Sequence, residues 1–572
     1  MRASMFSHQG FVPLAVSVCF VSVGSADPLS FSEEAIARGV NFSIAFNYAQ
    51  YGSGMALVDL DNDGDLDIVV SAGSSFGIGV YENDGSGFFT NRSLTSGITN
   101  MNLSSGMAAA DYDNDGDIDI YMSGWYTNSR LYRNNGDFTF TDVAVDAGII
   151  DPSQPNMAAS WGDVNLDGHL DLYVSVRTGH NAYTGSNHLY MNNGDGTFSD
   201  EAINLNIDAE VDPTLLSAFF DFDRDGDDDL YLGTDKGSGG TWMNRLYRND
   251  GGSFTEVTTQ ANAQAHVDCM GIAVGDIDFD GFYDMYLTNI QHGNKLFKYN
   301  PVSQAYVDYT LDAGVGSYRI GWGTFFEDFD NDTELDLYVC NMQGDNRLYR
   351  GSQTWPLIDE APTAGVGEAT DVFCAAQGDI DGDGDIDMIV GATNGKLNMY
   401  INNSADAASN NWARFNVVGN TGELNQFAIG ACVDIEHDGK SQVRQVRAGT
   451  NYKTTSAYTL HFGLGDSDMI GEMDVIYPGN SEIRHFTNVP ANRVWTLYPS
   501  NMLGDRDGNG RIDHYELYEA ILARTGPGNP IEPGLEIYDM DGDFDLDNDD
   551  LALMDLNVAQ PPRKFNGVRV GP

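Results

Sequence analysis

The sequence predicts an all-β chain: a seven-bladed β-propeller, followed by a small β-domain and a small α module. Three observations lead there. A nine-residue Asp-rich phrase recurs seven times, at intervals of 51 to 58 residues, and a period of that size marks a propeller or solenoid. Short β-branched and aromatic runs flank each phrase, four to a repeat, which is the strand count of a propeller blade. Aromatics reach 11% and there are 65 glycines, a mixture that suits short strands joined by tight turns.

The chain opens with Arg2, an apolar run over residues 11–23 and the small residues Gly24-Ser25-Ala26. This pattern predicts a secretory signal over residues 1–26, with an uncleaved anchor as the alternative. The apolar run is too short to be a standard membrane span, and no later stretch approaches one. Cys269, Cys340, Cys374 and Cys432 follow the signal. Their spacing shows neither a metal motif nor a dense disulfide framework, so each reads as a small buried apolar residue.

The propeller is expected over residues 27–403. Its phrases are DLDNDGDLD from Asp59, DYDNDGDID from Asp111, DVNLDGHLD from Asp163, DFDRDGDDD from Asp221, DIDFDGFYD from Asp276, DFDNDTELD from Asp328 and DIDGDGDID from Asp379. Small apolar runs such as SGMAAA precede them. Runs such as DIYMSG and DLYLGT follow, then RLYRNNG-like turns and FTFTDV-like fourth strands. The seventh repeat lacks its own fourth strand. LSFSEEAIARGV at residues 29–40 matches that strand and is expected to complete blade seven, closing the ring without an open edge.

Positions 1, 3, 5 and 9 of these loops are almost always Asp. They are Asp59, Asp61, Asp63 and Asp67; Asp111, Asp113, Asp115 and Asp119; Asp163, Asn165, Asp167 and Asp171; Asp221, Asp223, Asp225 and Asp229; Asp276, Asp278, Asp280 and Asp284; Asp328, Asp330, Asp332 and Asp336; and Asp379, Asp381, Asp383 and Asp387. Alternating carboxylates on a tight turn can surround Ca2+, a hard cation that takes six to eight oxygens. Gly at position 6 permits the bend. Position 7 varies, as expected if only its carbonyl is a ligand. Position 8 is apolar except for Asp228. Loop three, with Asn165, and loop six, with Thr333 in place of Gly, are expected to be the weaker sites.

These phrases resemble the FG-GAP/VCBS repeat family, to which the propellers of integrin α-chains belong. The resemblance implies a calcium ion at the loop between two strands of each blade, and an interaction surface for extracellular proteins or glycans. Residues 411–498 break the repeat with NNWARFNVVG, AIGACVDI, VRQVRAGTNY and DVIYPGNSEIRHFTNVPANR. Alternation in FNVV and VRQV argues for a small β-domain, and the order resembles the ASPIC/UnbV domain.

Residues 503–557 hold two further loops. DRDGNGRIDHYE fits the EF-hand spacing with Asp505, Asp507, Asn509, Asp513 and Glu516. DMDGDFDLDNDD offers Asp539, Asp541, Asp543, Asp547 and Asp550, with Phe544 where Gly is expected. Each loop has an exiting helix but no clear entering one, which resembles a dockerin. That implies docking on a cohesin-like partner; a calcium-stabilised tail without a partner stays open beside it. Residues 558–572 read as an extended tail.

The net charge is −56, which excludes nucleic acid as a partner, because phosphates would be repelled. About half of the 85 acidic residues lie in the nine loops, so the acidity is largely accounted for by expected metal sites. Catalytic motifs are absent apart from a chance GxSxG at residues 73–77. The expected function is therefore a secreted, calcium-binding, non-catalytic adhesion or interaction protein. The alternative is an extracellular polysaccharide-acting enzyme of the lyase type. Its candidates are the blade-three insertion, with Arg177, His180, Tyr183 and His188, and the DKGSGGTW stretch of blade four.

Overall fold

A computed structural model describes residues 27–44, 52–72, 77–99, 104–150, 154–178, 185–209, 212–239, 242–290, 292–367, 370–392, 395–420, 424–449 and 451–500. The predicted signal, the EF-hand-like pair and the tail lie outside the described residues, as do His180 and Tyr183.

The described strands build an all-β, propeller-like fold. Seven sheets follow the repeat, each of four antiparallel strands, and two further sheets belong to the region after residue 411. Blade two shows how sequence makes a blade. Its first strand, Ser104–Ala110, is built of small residues and faces the ring axis. There the first strands of successive blades crowd together: a Cβ on Gly106 would lie 2.3 Å from the Met157 carbonyl of blade three. The second strand, Asp119–Gly124, is buried along its whole length because neighbouring blades cover both faces. Arg130–Asn134 and Phe140–Asp142 complete the sheet toward the rim.

The ring closes as the repeat count requires. Phe31–Glu33 pairs antiparallel with Lys396–Asn402, Phe31 opposite Asn402 and Glu33 opposite Tyr400. The Phe31 ring meets Phe329 of blade six edge-on at 5.3 Å. The four cysteines are buried and free, filling core positions as small apolar side chains do. No helix among the described residues is long and apolar enough to cross a membrane.

After residue 411 the chain forms two sheets. Asn411–Val417 lies between Leu460–Gly465 and, in parallel, Arg493–Leu497. Cys432–His437 lies between Lys440–Gln445 and Met469–Ile476, and Ile483–Pro490 takes the edge. This β-domain sits on the Asp-loop face of the ring and sends residues 448–449 and 451–459 into the central channel. Trp161 N–H donates to the Ala448 carbonyl at 3.0 Å, and the Asn451 side chain joins Thr324 N–H of blade six to the Ala375 carbonyl of blade seven. Met55 and Met107 N–H both reach the Lys453 carbonyl. Thr454–Thr455 adds to blade one as a fifth, parallel strand. The threaded segment thus satisfies backbone groups on the channel-facing edges of the first strands, which would otherwise be left open.

Candidate metal centres

All seven Asp loops share one hydrogen-bond plan. The position 1 carboxylate accepts the N–H of position 6, from Gly64 on Asp59 at 2.9 Å to Gly384 on Asp379 at 3.0 Å. The position 5 carboxylate accepts the N–H of position 7. The position 9 carboxylate accepts the N–H of position 2, as Asp119 does from Tyr112 at 3.1 Å. These bonds wind the chain so that the acidic side chains turn inward together. Ligand-type oxygens of Asp59, Asp61 and Asp67 lie within 4.8 Å of one another. So do those of Asp111, Asp113 and Asp115; Asp221, Asp223 and Asp225; Asp276, Asp278 and Asp284; and Asp328, Asp330 and Asp332.

Position 3 decides what the loops need. Its Oδ1 is buried and without a hydrogen-bond partner in every loop: Asp61, Asp113, Asn165, Asp223, Asp278, Asp330 and Asp381. In three loops the outer oxygen of the same carboxylate is held by a base, Lys298 on Asp278, Arg350 on Asp330 and Arg38 on Asp381, while the inner oxygen stays bare. An unsatisfied buried polar atom costs about 1–3 kcal/mol, more when charged. Seven would consume the whole stability of an ordinary domain, about 5–15 kcal/mol. A cation among the oxygens removes that cost, and all-oxygen donor sets of this kind fit Ca2+. Asn165 aims the same bare oxygen into its loop as the aspartates do, since its Nδ2 donates to Asp167 at 2.9 Å. Thr333 keeps the Gly role by adopting φ +88° and donating its N–H to Asp328.

Electrostatics points the same way. Burial, reinforced by neighbouring carboxylates, pushes Asp67 up to about 8, Asp111, Asp163, Asp221, Asp276 and Asp330 to about 7, and Asp61 and Asp223 to about 6. Burial drives Asp119, Asp171, Asp229, Asp284, Asp336 and Asp387 well above the carboxylate range. Without a cation, such groups would hold protons near neutral pH.

The FG-GAP-like repeat family matches residues 59–122, 111–174, 221–287 and 328–390, and the ASPIC and UnbV family matches residues 421–503. The chain carries FG-GAP repeats and an ASPIC/UnbV domain. It is 24% identical over 489 residues to cartilage acidic protein 1 of Homo sapiens, covering 78% of this chain, and 26% identical over 451 residues to that of Mus musculus, covering 73%. It spans 63% and 60% of those relatives' lengths. Among solved structures, a BBS1N chain crystallised with ARL6DN aligns at TM-score 0.42 and 10% identity, over 66% of this chain and 97% of that one. The Dos1 propeller aligns at 0.38 and 10%, over 65% and 94%.

Two sets of residues around the FG-GAP loops escape a reading of the loop phrase alone. One is the Asn that ends the third strand in five blades: Asn83, Asn134, Asn192, Asn249 and Asn402. Its N–H donates to the position 9 carboxylate of its own loop at 2.8 Å. Its Nδ2 donates to the position 2 carbonyl of the preceding blade's loop, as Asn134 does to Leu60 at 2.8 Å. Each Asn thus rivets two adjacent loops. In blade six, Gln353 reaches Ile277 of blade five in the same way. The recurrence of Asn in RLYRNNG, HLYMNNG and RLYRNDG was the available signal; as turn residues they concealed it. The other is Asp228, the polar exception at position 8. It is buried and accepts Gln445 Nε2 of the ASPIC/UnbV domain at 2.7 Å.

At the opposite end of the blades lie Arg177 and His188, the two described candidates of the blade-three insertion. Arg177 Nε donates to the buried Asp235 at 2.8 Å. His188 Nδ1 lies 2.7 Å from Asp200, and its Nε2 lies 2.7 Å from Gln154. Asp505 through Asp550 fall outside the described residues.

Proposed function

We infer that this chain is a secreted interaction protein whose propeller is stabilised by calcium and which binds rather than catalyses. The bare, buried position 3 oxygen in all seven loops carries the calcium reading. Asp59, Asp61, Asp63 and Asp67, with their counterparts in the other loops, would hold the ions, whose chemistry there is charge compensation rather than bond breaking. The signal-like first 26 residues support secretion. Likeness to cartilage acidic protein 1 and the FG-GAP repeats support binding of an extracellular protein or glycan.

The state of Arg177 and His188, the two described candidates of the insertion, favours binding over the lyase alternative. A general base needs a free lone pair within reach of substrate. Both ring nitrogens of His188 are engaged within the fold, and Arg177 is clamped to Asp235. The C-terminal loops around Asp505 and Asp539 would add calcium sites, with a cohesin-like partner as the docking reading.

Calorimetric titration of the chelated full chain should show several calcium-binding events, with magnesium far weaker. An array of extracellular proteins and glycans, screened with and without calcium, should yield a calcium-dependent partner. Absence of calcium binding defeats the metal reading. Calcium-dependent release of unsaturated products from uronate polysaccharides would make the propeller a lyase.

A further inference from the structure

Position 4 varies widely in residue type: Asn62, Asn114, Leu166, Arg224, Phe279, Asn331 and Gly382. Its backbone keeps one conformation. All seven have positive φ, between 57° and 76°. For a residue with a Cβ this conformation costs about 1–2 kcal/mol and persists only where the surroundings impose it.

In loops two to six, position 4 touches the ASPIC/UnbV domain. Asn114 Oδ1 accepts Gln426 N–H at 3.2 Å. Leu166 packs on Gly479, where a Cβ would come within 2.7 Å of its Cδ1. Arg224 donates to Asp434 at 2.6 Å. The Phe279 ring lies 5.4 Å from Lys440 Nζ. Asn331 Oδ1 lies 2.6 Å from His461 Nε2, and its carbonyl accepts Gly465 N–H at 2.8 Å. Five consecutive loops thus present their left-handed residue as the contact row for one domain. That domain also threads residues 451–459 through the ring. The variability of position 4 has a physical reason: each residue meets a different part of an asymmetric partner.

We propose that cation occupancy of loops two to six latches the ASPIC/UnbV domain onto the ring and holds residues 451–459 in the channel. This rests on the reading of the loops as calcium sites. The same winding that turns positions 1, 3, 5 and 9 inward sets position 4 outward in its left-handed pose. When the cation leaves, the buried carboxylates repel one another, the winding relaxes and the contact row loses its geometry. The channel wall, covered by the threaded segment, is then exposed. Coupling is reciprocal: calcium favours docking by the same factor by which docking favours calcium, so loss of domain contact at position 4 should weaken calcium binding.

Two measurements on the full chain test this. Hydrogen exchange is followed in calcium and in chelator at matched ionic strength. The amides of Met55 and Met107, which donate to Lys453 in the threaded segment, and of Trp161, which donates to Ala448 just before it, should exchange about tenfold faster or more in chelator. Those of Asp229–Thr234, inside a blade, should change much less. Calcium binding with unchanged exchange at the three channel amides overturns the latch and leaves the calcium reading intact; no calcium binding overturns both. If chelation melts the whole ring, a second pair of variants decides. Arg224→Ala with Phe279→Ala alters only side chains of residues outside the ligand positions, and should weaken calcium binding about fivefold or more while circular dichroism in saturating calcium stays that of the parent. Unaltered affinity in that variant overturns the proposal.

Discussion

The two ends of the blades handle charge in opposite ways. At the loop end, acidic side chains are gathered into partly buried nests whose position 3 oxygens are left without hydrogen bonds, and a second domain lies against loops two to six. At the other end, several acidic side chains among the described residues are paired with bases. Asp235 takes Arg177 and Lys236, Asp212 takes Arg245, and Asp359 takes Arg347. An end that is balanced within the chain can present a surface whose shape does not depend on ions. An end that is not balanced makes stability a function of the solution. On the calcium reading proposed above, metal dependence would belong to the loop end of the ring.

The largest effect should come from removing metal. Each site adds about 2.7 kcal/mol when calcium stands at a hundred times its dissociation constant. Chelation should therefore lower the melting temperature by about ten degrees or more, and calcium should restore it; an unchanged melt would erase the contrast between the ends. Next comes the rivet. Asn134→Ala removes donors to the buried Leu60 and Ile118 carbonyls, a loss of about 2–3 kcal/mol that urea unfolding in saturating calcium should read.

The pH dependence sharpens the comparison further. In the metal-free fold, burial holds Asp61, Asp111 and Asp67 at about 6, 7 and 8, above the ~3.9 of an unfolded aspartate. The fold then binds extra protons, and that stability is complete below the unfolded value and lost as pH rises through about 6 to 8. Chelated protein should melt lower at about pH 8.5 than at about pH 5.5. Calcium-loaded protein should show the reverse slope, because protons compete with the ion for the same oxygens. The smallest effect belongs to the balanced end. Lys236→Met breaks a partly exposed contact with Asp235 and should shift stability by no more than about 1 kcal/mol, equally with and without calcium.

The fold was legible because a blade is a local object. Strand alternation, turn residues and the Asp phrase all lie within one repeat, and even the distant strand at residues 29–40 announced itself by matching its counterparts. The gathering of the Asp positions was legible for the same reason, and the loops keep their winding at Asn165, through its side-chain amide, and at Thr333, through its backbone. What the sequence hid was relation between units. Asn134 looks like a turn residue until Leu60 of the previous blade is seen beside it. Arg224 and Phe279 look like noise until Asp434 and Lys440 arrive from the far end of the chain. Residues 451–459 carry no pattern that says channel, because the edges they satisfy belong to other blades.

The clasp between Phe31–Glu33 and Lys396–Asn402 has a consequence for how the molecule is made. Ser32 and Asn403, hydrogen-bonded at 2.9 Å, stand 371 residues apart. A ribosome adding about 5–20 residues per second needs roughly 20–70 s to cover that span. Throughout that interval the earliest strand has no permanent neighbour, and six blades stand as an unfastened arc. The residues that fill the axis are translated later still. Pairing at this clasp therefore runs against the order of synthesis: Phe31–Glu33 is made well before the strand it pairs with, and a chaperone could shield it during the wait.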